Sequence, residues 1–161
     1  MADMRTLVIG YGSPIRGDDA LGPLVADRLE QEDLPGEVEV MARHILTAEL
    51  VADLMDKDRV IFLDAAVEGE PGEVRCRRLR PGTGTVSTMA HFLDPRELLA
   101  WCESLYGRTP EGFLVSACGA DFGYANYQLS AVGEDAAERM LDWVRRLVSR
   151  PVSADESIPW L

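Results

Sequence analysis

The chain has 161 residues, 47% hydrophobic and 27% charged, which fits one globular domain long enough for a two- or three-layer core. Its 28 Asp plus Glu against 16 Lys plus Arg give a formal net charge of -12, which repels phosphate backbones and anionic lipid and argues against nucleic-acid or membrane partners. The 3 cysteines, Cys76, Cys102 and Cys118, form no CxxC pair, which argues against a disulfide framework or zinc knuckle and fits a reducing cytoplasm.

"TLVIGYG" (6–12) is a short apolar run stopped by glycines and predicts a buried strand. "ALGPLVADRLEQED" follows, with Leu21, Leu24, Val25 and Leu29 on one helical stripe and Pro23 tolerable only in the first turn. "EVEVMAR" (37–43) alternates as a strand, and "TAELVADLMDKD" (47–58) predicts a short helix. "RVIFLDA" (59–65) is the clearest buried strand, and "GEVRCRRLR" (72–80) alternates as a more exposed one. "PGTGTVSTMAH" (81–91) is a loop by composition.

In "DPRELLAWCESLYG", Asp94 is the expected N-cap, Pro95 sits at N1, Glu97 completes a capping box, and Gly107 stops the helix. "GFLVSACG" (112–119) is another buried strand. The last helix, about 132–149, carries Ala136, Ala137, Met140, Leu141, Val144, Leu147 and Val148 on one side. Residues 1–150 are expected to form one α/β domain and 151–161 a frayed tail whose Trp160 and Leu161 could dock on the body. No signal peptide or spanning helix is expected. Apolar strands separated by helices predict a three-layer α/β/α sandwich around a mostly parallel sheet.

In such a sheet the site lies beyond the carboxyl ends of the strands, near the point where strand order reverses. Asp18 and Asp19 follow the first strand, Asp64 ends "VIFLD", and His91 sits in the loop before a well-capped helix. A dinucleotide fingerprint fails in "GYGSPIRGDDALG" (10–22), because Ile15 stands at the third glycine and Pro14 removes a donor. No Gly-Lys-Ser/Thr follows, so the P-loop pattern fails too. From spacing alone, helix capping and metal or proton chemistry stay equally open for the acidic pair. Singly, Asp64 reads as a turn residue and His91 as a surface-loop histidine. Jointly, two carboxylates and an imidazole suit a divalent transition metal with open positions for a substrate. His44 and Glu49 in "RHILTAEL" border the same crevice as accessory candidates. Cys118 with His91 as nucleophile and base is outweighed by a buried structural thiol.

"RGDDALG" after the glycine-bounded strand, then "VIFLDA", then a histidine ahead of a leucine-rich helix, resembles the nickel–iron hydrogenase maturation endopeptidases over about residues 5–148. "DPRELLAWCESLYGRTPEGFLVSACGADFGY" is similar to a subgroup of that family. The resemblance implies a twisted five-stranded sheet between helices. It also implies a cytoplasmic C-terminal processing endopeptidase of aspartic or metal-dependent type, acting on a hydrogenase large-subunit precursor after nickel insertion. The nickel is carried by the substrate, with cadmium or zinc able to substitute.

The family's metal-binding acids fall on Asp19 and Asp64, its histidine on His91, and the neighbouring acid of the first motif on Asp18. Asp19, Asp64 and His91 would hold the metal and carry catalysis, with either of those Asp as general base and Asp18 as a possible accessory. Ser13 stands where many members have Asn, and "ARHILTAEL" where many have an Asp-Gly-Gly-type stretch, so His44 is the alternative contact there. The rival reading is a magnesium-dependent phospho-acceptor receiver module centred on Asp64. Its acidic pair would directly follow the first strand, and "FLVSACG" offers no Lys to complete it.

Overall fold

A computed structural model describes residues 4–82, 93–149 and 157–161. Its sheet runs in the order β2-β1-β3-β5-β4. The strands are β1 (Arg5–Tyr11), β2 (Glu37–Arg43), β3 (Arg59–Ala66), β4 (Val74–Leu79) and β5 (Glu111–Cys118). β1, β2, β3 and β5 pair in parallel, and β4 runs antiparallel to β5 at the edge. The expected mostly parallel five-stranded sheet is therefore present. A phospho-acceptor receiver takes the strand order 2-1-3-4-5, and the swapped, antiparallel β4 departs from it.

α1 (Leu21–Leu29) and α4 (Ala131–Ser149) cover one face, where Leu21, Val25, Met140 and Val144 pack on Val8, Ile61 and Phe113. α2 (Val51–Leu54) and α3 (Pro95–Tyr106) cover the other, where Leu54, Leu98 and Leu99 pack on Leu7, Ile9 and Phe62. Central strands lose water from both faces, which is why β1 and β3 read as continuous apolar runs rather than alternating ones. All seven apolar positions expected along the last helix are buried in α4.

Several boundaries differ from the sequence expectation. The helix expected at 20–33 spans only Leu21–Leu29 and follows a 3-10 turn at Gly17–Ala20, so Pro23 falls inside its first turn as required. The 47–58 stretch forms a 3-10 turn at Ala48–Leu50 and a single α-turn, because Asp56, Lys57 and Asp58 bring charge where an apolar stripe would have to continue. α3 starts and stops as expected. Glu97 N–H donates to the Asp94 carboxylate at 3.0 Å, the Glu97 side chain accepts from Asp94 N–H at 3.4 Å, and Gly107 ends the helix at φ 73°.

The last residues are packed rather than frayed. Ile158 is buried, Arg78 N–H donates to Pro159 O at 2.8 Å, and Leu161 N–H donates to Arg78 O at 2.9 Å. Arg80 lies 4.3 Å over the Trp160 ring. These contacts pair part of the β4 edge, a place where an open strand would otherwise invite another chain. No helix among the described residues is long and apolar enough to cross a membrane.

Candidate active site

From β1 the chain first runs out to β2 on one side and then returns to β3 on the other. The carboxyl ends of β1 and β3 therefore flank the switch point, where an open crevice is topologically forced. There a cleft of about 430 Å³ is lined by Tyr11, Ser13, Arg16, Asp19, His44 and Asp64, with Ile45, Leu46 and Leu93 as its apolar wall.

Each side chain reaches the cleft for a local reason. Gly12 leaves β1 at φ +145°, and a Cβ there would sit 2.1 Å from the Asp19 carbonyl oxygen. Only glycine lets the outgoing loop and the returning 3-10 turn lie so close. That closeness brings Ser13 N–H onto the Asp19 carboxylate at 2.9 Å. Asp64 shares its face of β3 with Phe62, and the two-residue period of a strand continues that face past the apolar core into the cleft.

The Asp64 carboxylate accepts Ala65 N–H at 2.8 Å, and Tyr11 lines the same cleft beside it. Burial pushes its pKa up to about 7, partly opposed by the nearby Tyr11 hydroxyl and the Ala65 N–H and assisted by the negative charge of Asp19. Tyr11 is pushed well above the usual tyrosine value, first by burial and then by Asp64, Asp94 and Asp19. The cleft thus holds one carboxyl poised to exchange a proton near neutrality beside a second carboxylate.

Asp18 has a different duty from its neighbour. It is fully buried, and its carboxylate accepts from Ala120 N–H (2.7 Å), Asp121 N–H (3.1 Å), Ser130 N–H (2.8 Å) and Ser130 Oγ (2.7 Å). Ser130 Oγ in turn accepts Gly133 N–H at 3.0 Å in the first turn of α4. Burial raises the Asp18 pKa, but these donors outweigh it and hold the carboxyl below its usual range. Neither Asp18 nor Asp19 caps α1, whose flanking residues make no side-chain cap hydrogen bond.

No family model matches the chain. The hydrogenase 2 maturation protease of Escherichia coli (strain K12) is 35% identical over 78 residues, 47% of this chain and 48% of that protein. A hydrogenase 2 maturation peptidase structure from Thaumarchaeota archaeon SCGC_AB-539-E09 superposes with TM-score 0.68 at 27% identity, covering 90% of this chain and 98% of that one. In sequence and in fold, the chain is similar to hydrogenase maturation proteases. The match to the curated hydrogenase maturation proteases spans about half of their length. The hydrogenase maturating endopeptidase HybD from Escherichia coli shares the fold, with TM-score 0.72 at 24% identity over 91% of this chain and 93% of that one.

Within this hydrogenase maturation protease fold, Asp19, Asp64 and His44 line one cleft, whereas Glu49 is exposed in the turn before α2 and does not line it. His91 lies outside the described residues. Among the described residues, no three His, Cys, Asp or Glu side chains group closely enough to hold a metal ion. Cys118 is buried with its Sγ 3.3 Å from Gly69 O, a structural thiol outside the cleft. Tyr11 and Arg16 are cleft residues that motif reasoning passed over. The signal for Tyr11 was available, because it continues the odd-numbered face of β1 through Leu7 and Ile9.

Proposed function

We propose that the chain is an endopeptidase that removes the C-terminal extension of a nickel–iron hydrogenase large-subunit precursor once nickel is in place, working in the cytoplasm. The observation that carries this reading is the placement of Asp19 and Asp64 in one cleft at the sheet's switch point, with Asp64 held near neutrality. Nickel is cargo on the substrate and cadmium or zinc can replace it. The two carboxylates attract that cation and seat the peptide that follows it, and His91 supplies the third contact.

Hydrolysis then needs a base. A carboxylate with pKa about 7 takes a proton from water as the water oxygen bonds to the scissile carbonyl carbon. The same proton passes to the leaving amine nitrogen as the C–N bond breaks. Asp64 fits that role better than Asp19, because burial in the wall of the cleft raises its proton affinity. Arg16 and His44 sit at the same cleft and face the incoming chain.

The test is the mass of nickel-loaded and nickel-free precursor after incubation with wild type and with Asp19→Ala, Asp64→Ala and His91→Ala. Wild type should release a C-terminal fragment from the loaded precursor alone, and each variant should be slowed by about 100-fold or more. Undiminished cleavage by the three variants would sink the site, and an uncut loaded precursor would sink the activity. Loading the precursor with cadmium or zinc should restore cleavage of a nickel-free sample.

A further inference from the structure

We propose that Ile15 and Tyr124 form a docking surface at the rim of the cleft for the folded body of the precursor, as distinct from the extension that enters the cleft. The inference rests on the endopeptidase reading above and adds the second surface by which the protein substrate is held.

Residues 14–18 and 121–127 run side by side in opposite directions. Asp18 N–H donates to Asp121 O at 2.7 Å, Ala125 N–H to Ile15 O at 2.9 Å and Tyr127 N–H to Pro14 O at 2.9 Å. The approach is so close that a Cβ on Gly17 would sit 2.3 Å from Asp121 O. The buried Asp18 carboxylate ties the second segment down at Ala120, Asp121 and Ser130. Tyr127, the one non-glycine residue at positive φ (57°) among the described residues, also donates its hydroxyl to Asp27 of α1. A backbone conformation of that kind persists only where its surroundings over-determine it, so this loop is a rigid platform.

On that platform Tyr124 is 86% exposed and Ile15 51% exposed, and neither belongs to the core. A tyrosine already held in place loses little freedom when a partner covers it, and tyrosines of this kind dominate the energy of protein interfaces.

Two observations identify the occupant. First, the patch and the cleft share one loop. Ser13 and Arg16 line the cleft, while Pro14 and Ile15 carry the bonds to the 121–127 segment. A protein whose tail lies against Asp19 therefore meets Ile15 and Tyr124 with the surface from which that tail emerges. Second, Asp27 and Asp121 are exposed on the same two loops and α1. The partner surface that fits is an apolar side chain flanked by Lys or Arg. A second copy of this chain fits poorly, since each carries a net charge of -12 and the same acids at the rim.

The experiment measures binding of the nickel-free large subunit, truncated before its extension, by biolayer interferometry. Wild type is compared with Ile15→Ser, with Tyr124→Ala and with Leu105→Ala, an exposed apolar side chain near the end of α3. Thermal unfolding should stay at the wild-type value in all three. Ile15→Ser and Tyr124→Ala should each weaken binding about tenfold, and Leu105→Ala should leave it unchanged. Wild-type binding should weaken as salt is raised, because the rim acids are screened.

Unchanged binding in either rim variant overturns the docking surface, as does equal weakening by Leu105→Ala or a wild type that binds no truncated subunit. Binding indifferent to salt overturns the basic partner surface. If wild type cuts no nickel-loaded precursor yet holds the truncated subunit through Ile15 and Tyr124, the endopeptidase reading fails and the docking surface stands.

Discussion

A buried carboxylate is tolerated only when donors replace its lost water, and Asp18 is met by the amides of Ala120, Asp121 and Ser130 and by the Ser130 hydroxyl. Asp18→Ala strands those donors and should cost about 3 kcal/mol, measured by denaturant unfolding. Because its folded pKa is depressed, the Asp18 contribution is present above the unfolded value near pH ~3.9 and is lost as pH falls through the folded one.

Asp64 has the opposite sign. Its folded pKa of about 7 exceeds the unfolded value, so its stabilising contribution is full at low pH and lost as pH rises through about 7. Asp64→Asn should therefore match wild type near pH 4 and exceed its stability near pH 8, by up to about 4 kcal/mol. Processing should show the reverse trend in wild type, rising through about pH 7 as the base form appears. The sequence alone made these acids visible as candidates. Which of the adjacent pair faces the cleft depends on where Ala120, Asp121 and Ser130 fold back, more than 100 positions away, and no local pattern encodes that.

Elements whose limits are written in neighbouring residues were legible, and α3 is the clearest, with its capping box and left-handed Gly107 both realised. Asp94→Ala should cost about 1 kcal/mol, read as a lowered denaturation midpoint. α2 was overestimated because its stripe of Leu50, Val51 and Leu54 ends at a charged segment. α1 depends on glycine for a reason its own sequence hides. A Cβ on Gly22 would lie 2.4 Å from the carbonyl oxygens of Leu63 and Tyr11, backbone atoms that cannot swing aside. Gly22→Ala must push α1 off the sheet, which should cost about 3 kcal/mol and displace the turn bearing Asp19, lowering both melting temperature and cleavage.

Across the whole molecule, α4 is locked to the sheet from its end as well as its face. Arg59, almost fully buried, donates to Leu147 O at the end of α4 and to Glu111 at the start of β5, and stacks 5.5 Å over Phe113. Arg59→Ala leaves those acceptors unpaired and should cost about 3 kcal/mol in unfolding free energy. Removing residues 157–161 uncovers the β4 edge and should raise self-association in light scattering, despite the net charge of -12.

The sequence by itself determined the periodicities, caps and apolar runs. Those are set by residues within a turn or a strand of one another, and they suffice for a mostly parallel α/β sandwich with acids at its carboxyl edge. Tertiary structure alone decided that β4 enters antiparallel at the rim, that Asp18 is a buried anchor while Asp19 faces the cleft, and that burial raises the proton affinity of Asp64. Strand order, burial and proton affinity depend on contacts between segments distant in the chain, whose loop-closure cost is met only when the whole core forms. The stretch "GYGSPIRGDDALG" therefore names its acids in sequence, and receives their division of labour from the fold.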